Sequence, residues 1–155
     1  MAAAQVPSPN AQDADRAAIE ITLERFLEAW NTHDAHAFSL AFTEDADFTN
    51  VMGMSVHGRE NVESFHAPIF ATIFKASHLT STIRGIRFLT SDLAAVDVDW
   101  RMTGAFSPAG AALPERRGLL VWVMARQADG SWLIAIMHNA EINRPPGPPP
   151  PSPPK

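Results

Sequence analysis

DGSWLIAIMHNAEI, residues 129–142, opens on a turn dipeptide and runs into a strand that ends on an imidazole and an amide. Asp129-Gly130 predicts a tight hairpin of type I′, which needs positive φ at both central residues. Beyond it, Trp132, Ile134 and Ile136 alternate with Leu133, Ala135 and Met137, so both faces of this strand are apolar. At period two His138 falls on the face of Trp132, Ile134 and Ile136. Asn139 then has the opposite parity, and only a bulge would let both line one cavity. Asn139 therefore reads as structural.

Outward from this stretch, three more segments rich in branched and aromatic residues read as long strands. They are SHLTSTIRGIRFL (77–89), LAAVDVDWRMTG (93–104) and RRGLLVWVMARQ (116–127). Ser91-Asp92 marks a tight turn. Residues 104–115, with Pro108, Gly110 and Pro114, mark a longer link. In the third segment Leu119, Val121 and Val123 alternate with Leu120, Trp122 and Met124, again apolar on both sides. One face can bury helices. The other needs cover as well, which predicts a homodimer through the convex face of the sheet.

The first half is helical. Ile19, Leu23, Phe26, Leu27 and Trp30 recur at steps of three and four across residues 14–32. Asp13 and Asp15 sit where a helix N-terminus favours negative charge, and Asp34 suits the cap of a second short helix. ADFTNVMGMSVHG (46–58) reads as two short strands around a turn at Gly53. GRENVESFHAPIFATIFK (58–75) reads as a third helix that buries Val62, Phe65, Ile69 or Phe70, and Ile73, with a kink at Pro68. Helices first and an antiparallel meander after them make an α+β pattern.

The chain of 155 residues is the size of one domain. Its acids outnumber its bases 17 to 12, a balance that argues against nucleic acid and against an anionic membrane surface as partners. No apolar run approaches the ~20 residues that span a bilayer. With no cysteine, thiolate catalysis and cysteine-ligated metals are excluded. No histidine pair has HExxH spacing, and neither GxGxxG nor GxxxxGK occurs, so no metal and no nucleotide cofactor is expected. Residues 1–12 read as a disordered tail, 13–143 as the domain, and the proline-rich 144–155 as a second disordered tail. The first residues are not an intact signal peptide. They fit either a cytoplasmic start or the mature end of an exported protein.

AWNTHD at 29–34, DADFTNVMG at 45–53, HGRENVESFH at 57–66, DLAAVDVDWRMTG at 92–104 and DGSWLIAIMHNAEI at 129–142 together resemble the nuclear transport factor two-like superfamily. Within it the chain is similar to the SnoaL-like proteins and their SgcJ/EcaC group, whose members carry an oxidoreductase label. The resemblance implies a cone: about three N-terminal helices packed on a curved, mostly antiparallel sheet, with a deep pocket between them. It does not imply one activity, because this fold carries catalysts, binders and assembly domains. Phe48 and Asn50 match an aromatic and an amide that help hold a water in the epoxide hydrolases of the fold. Asp97, Asp99 and Arg101 fall on the strand where those enzymes place charged residues, but His138 stands where their last acid would be. The isomerase pattern, which pairs a tyrosine with an acid, fails because the chain has no tyrosine.

On this reading the candidate proton-transfer residues are His138 and His66, with Asn50 orienting substrate or water. The alternatives are a core histidine satisfied by a backbone carbonyl, a helix-edge histidine and a turn asparagine, respectively. Trp30, Phe48, Phe70, Trp100 and Trp122 are candidate walls for a small hydrophobic ring-containing ligand. Asp97, Asp99 and Arg101 are expected outside, with Val96, Val98, Trp100 and Met102 against the helices, because unpaired buried acids are costly. Three functions remain open: a cofactor-independent isomerase, cyclase, dehydratase or hydrolase; a ligand-sequestering protein; and a dimeric scaffold with a filled cone.

Overall fold

In the computed structural model, which describes residues 8–142, the helical stripe of the first half becomes α1 (Pro9–Asn31). It starts at Pro9, a residue suited to the first helical turn because its missing N–H would have no partner there. Residues 9–12, expected in the tail, are thus helical. Residues 1–7 and the proline-rich 144–155 lie outside the described residues. Ile19, Leu23, Phe26 and Trp30 are buried on one face, as their spacing requires. Asp15 is buried with them rather than facing solvent at the helix end. It accepts from Trp132 Nε1 at 2.9 Å and from Arg126 Nε at 3.2 Å, tying the helix to the sheet.

A short α2 (Ala35–Ser39) follows, capped by Asp34, whose carboxylate accepts from the backbone N–H of Ala37 at 2.9 Å. Then come β1 (Phe42–Thr49), β2 (Ser55–His57) and α3 (Arg59–Phe70). The third helix stops two residues after Pro68, short of the expected 75, and its buried stripe is Val62, His66 and Phe70. Phe65 and Ile69, expected in that stripe, are only half-buried. The histidine thus takes a core position at i, i+4, i+8 spacing that apolar pattern reading gave to its neighbours.

The meander is β3 (His78–Phe88), β4 (Leu93–Thr103), β5 (Arg116–Arg126) and β6 (Trp132–Glu141). All six strands form one sheet in the order β2-β1-β6-β5-β4-β3, antiparallel except where β1 lies parallel to β6. The early pair of short strands is therefore an edge of the main sheet, not a separate hairpin. The β5–β6 connection also differs from expectation. Gly130 alone of the Asp129-Gly130 pair has positive φ (85°), with Gly130 N–H bonding Gln127 and Gln127 N–H bonding Ser131. This is the longer hairpin loop with a glycine in the left-handed position, not a two-residue type I′ turn.

β4 alternates as physical cost requires: Val96, Val98, Trp100 and Met102 are buried under the helices, while Asp97, Asp99 and Arg101 face out. There Asp99 pairs with Arg84 and Arg101 with Glu115. Three strands carry register breaks, in β1, β3 and β6. The breaks in β3 and β6 each add one residue to one side of a ladder and that in β1 adds three, which bends the strands, so the sheet curls around the helices.

Candidate functional site

The break in β6 decides which side chains reach the interior. Val123 faces Ile136 across the β5–β6 ladder, but the next residue, Met124, faces Ile134. One residue of β6 is extra at this point, and the side-chain alternation inverts there. Trp132 and Ile134 point inward before the bulge. After it Met137, Asn139 and Glu141 do, while Ile136 and His138 face out. His138, a candidate proton-transfer residue on unbroken parity, lies on the outer face opposite Val121 and does not border the cavity. His138 thus lies outside the space it was expected to face, whereas Asn139, expected to be structural, both holds Trp100 and borders the cavity.

Between sheet and helices lies a cavity of about 1010 Å³. Phe26, Trp30, Phe48 and Phe65 wall it from the helices and β1. Leu79, Trp100, Met102, Leu120 and Met137 wall it from the sheet. Phe74, Phe106 and Leu113 close it from the loops, and exposed Met52 and Met54 rim the opening. Of the expected walls, Trp30, Phe48 and Trp100 line the space. Phe70 and Trp122 do not. Phe70 sits behind Trp30, ring centres 4.9 Å apart, and Trp122 is fully buried against Phe26 at 5.2 Å.

His66 borders this cavity from α3. Its ring is surrounded by Phe38, Phe48, Phe65, Phe70 and Trp30, with centres 4.3 to 6.2 Å away. Nδ1 lies 2.7 Å from the carbonyl oxygen of Val62. A carbonyl only accepts, so Nδ1 carries the proton and Nε2 holds a lone pair. Nε2 bonds to nothing among the described residues, yet it is not sealed in the core, which leaves it open to the cavity. Burial among apolar rings pushes the imidazole down to about 4, although the Val62 carbonyl favours the charged form. His66 is therefore neutral at physiological pH.

Asn50 lies at the rim, and its side-chain oxygen accepts from the backbone N–H groups of Met52 and Met54, both at 2.9 Å. It shapes the β1–β2 turn, the alternative its sequence context also allowed. Deeper on the sheet wall, Trp100 Nε1 donates to Asn139 Oδ1 at 2.9 Å. Glu141 meets Arg116 through two parallel bonds of 2.8 Å, which hold its carboxyl below the usual carboxylate range.

Asn139, Glu141 and Arg116 are polar cavity residues that sequence reasoning missed, as are Ser107, Glu115 and Arg117, and Arg101, expected outside, also borders the space. The shared parity of Asn139 and Glu141 at the strand end was the available signal, but the bulge that turns this parity inward leaves no mark in composition. Among the described residues no three histidine, aspartate or glutamate side chains cluster to hold a metal ion.

A family model described as a SnoaL-like domain matches residues 23–133. Solved structures with the same architecture include a domain of unknown function with a cystatin-like fold from Nostoc punctiforme. It is 27% identical, with 84% of this chain and 79% of that one covered and a TM-score of 0.74. A cystatin-like-fold protein from Caulobacter vibrioides is 26% identical over 83% of this chain and 90% of its own, with a TM-score of 0.75. A ketosteroid isomerase-like protein from Erwinia carotovora atroseptica shares 18% identity over 83% and 96%, with a TM-score of 0.68, a likeness of fold alone. No curated protein matches the chain.

Proposed function

The chain belongs to the SnoaL-like domain family, and on that premise we propose that its cavity takes up a small, largely apolar, ring-containing molecule without a bound cofactor. The observation that carries this reading is an aromatic-walled space of ligand size that leads to one neutral imidazole with an open lone pair. Aromatic walls stack on flat rings, and the few polar groups among them set orientation.

Binding is the part of this function that the geometry supports best. A general acid near pH 7 must hold a proton it can release. His66 holds its proton on Nδ1, against the Val62 carbonyl, and Glu141 is a carboxylate neutralised by Arg116. Neither supplies a proton at neutral pH. A second reading, proton-transfer catalysis, draws on the same imidazole. The Val62 bond orients it as a general base is oriented, with Nε2 free to take an acidic proton from a bound substrate. Isomerisation, cyclisation, dehydration and hydrolysis all fit such a step.

Mass spectrometry of molecules released when the purified protein is denatured tests the reading. A stoichiometric ring-containing compound is the expected result. With it in hand, loss of turnover in His66→Gln at near-constant affinity supports catalysis, and loss of affinity with no turnover supports sequestration. A protein that releases nothing and binds no aromatic compound in its cavity overturns both.

The proposal includes a second copy of the chain. The outer face of the sheet leaves Leu93, Val121 and Ile136 each more than a third exposed, in a field with half-buried Leu119, Val123 and Leu133. Contiguous apolar sheet surface of this kind favours self-association through the convex face.

A further inference from the structure

Two cavity atoms have their hydrogen-bonding sense fixed by the protein, and they are complementary. His66 Nε2 is an acceptor, because Nδ1 has to donate to the Val62 carbonyl. The Asn139 amide is fixed as strictly. Trp100 Nε1 can only donate, so the amide atom facing it at 2.9 Å is the oxygen, and Nδ2 is left as a donor. Asn139 Nδ2 bonds to nothing among the described residues, and both residues border the same cavity from opposite walls, one on α3 and one on β6. Of the other polar side chains at the cavity, Arg116 and Glu141 pair with each other, Arg101 pairs with Glu115, Ser107 Oγ accepts from the Ala111 N–H and the Asn50 oxygen accepts within its own turn. Among the described residues Arg117 and the rim Asn50 Nδ2 keep their donors free, but Arg117 is exposed to solvent.

Building on the pocket reading above, we infer that the ligand class is a ring-containing hydroxy-ketone, whose hydroxyl donates to His66 Nε2 and whose carbonyl accepts from Asn139 Nδ2. An unpaired polar atom in an apolar cavity is costly when a ligand strips its water, so each end selects for its complement. A molecule of the same shape with the groups absent or reversed leaves both protein atoms unsatisfied. Recognition by unmet hydrogen bonds discriminates more sharply than apolar fit does.

Calorimetric titration with 4-hydroxybenzophenone, its O-methyl ether and 4-benzylphenol tests each end separately. The ether lacks the hydroxyl proton and the benzylphenol lacks the carbonyl. Wild-type protein is expected to favour 4-hydroxybenzophenone by about tenfold over either counterpart, the worth of one such bond. Asn139→Asp keeps an oxygen for Trp100 and removes the donor. It is expected to erase the preference over 4-benzylphenol while leaving 4-benzylphenol affinity within about twofold. His66→Phe is expected to erase the preference over the ether. Equal affinity of wild type for all three compounds, or uniform weakening of all three in Asn139→Asp, overturns the hydroxy-ketone assignment and leaves the pocket intact. No saturable binding by any of them overturns the pocket reading itself, and this inference with it.

Discussion

Trp100 on β4 donates its indole N–H to Asn139 on β6, reaching across Gly118 of the intervening strand. A Cβ on Gly118 would lie 2.5 Å from the Trp100 ring and 2.1 Å from the carbonyl oxygen of Ala140. Only a glycine lets the indole lie on the backbone and reach the amide. Gly118→Ala is expected to cost about 3 kcal/mol through this overpacking. Asn139→Leu, which strands the indole N–H, is expected to cost less, about 1–2 kcal/mol. Urea unfolding of the two variants against wild type checks the order, and a neutral Gly118→Ala would contradict this geometry.

His66 makes stability depend on pH in a defined window. Its folded value of about 4 lies below the unfolded 6.5, so between these limits the unfolded chain binds more protons. Stability contributed by the neutral ring is complete above pH 6.5 and is lost as pH falls toward 4, by roughly 3 kcal/mol in all. In His66→Phe this component should vanish. The difference in unfolding free energy between wild type and variant, measured at pH 7.5 and 4.5, should shrink at the acid end. A pH-independent difference would place the imidazole in water rather than among the rings.

Glu141 acts in the same direction, at lower pH. Arg116 holds its carboxyl below the ordinary value, so its contribution is present above the unfolded value of 4.5 and is lost as pH falls through the folded one. Arg116→Met should raise the Glu141 titration midpoint, seen by carbon-detected NMR of the side-chain carboxyl, and should cost roughly 2 kcal/mol at neutral pH. An unmoved midpoint would mean that the two groups do not pair in solution.

His138→Ala should leave the affinity for 4-hydroxybenzophenone within about twofold of wild type, because the imidazole lies on the far side of the sheet. A large loss would restore the unbroken alternation of β6 and remove the bulge.

Val121→Lys places a charge in the exposed apolar field of the convex face. Wild type is expected at twice the 16.9 kDa chain mass by light scattering, and the variant at the single chain mass with its fold retained by circular dichroism. A monomeric wild type would end the dimer proposal.

Much of this molecule follows from local pattern. The stripe from Ile19 to Trp30, the Asp34 cap and the alternation of Val96 to Met102 each report a face, because a helix or strand with one apolar side has few ways to bury it. Those segments determined the α+β cone and the outward placement of Asp97, Asp99 and Arg101. The cavity residues were legible only in part. Trp30, Phe48, Trp100 and His66 do border the cavity, but Phe70 and Trp122 lie behind its walls. Which aromatics pack together and which leave a gap depends on how the elements meet in space.

The polar end of the site was decided by tertiary structure alone. One extra residue in β6 turns His138 out and Asn139 in, and it exists because β6 must pair with β5 on one side and with β1 on the other along a bent ladder. A period-two pattern has no memory of such a break. The sequence by itself determined that a strand ends on an imidazole and an amide. Folding decided that the amide faces the hollow, because curvature of the whole sheet, not local preference, sets where the alternation slips.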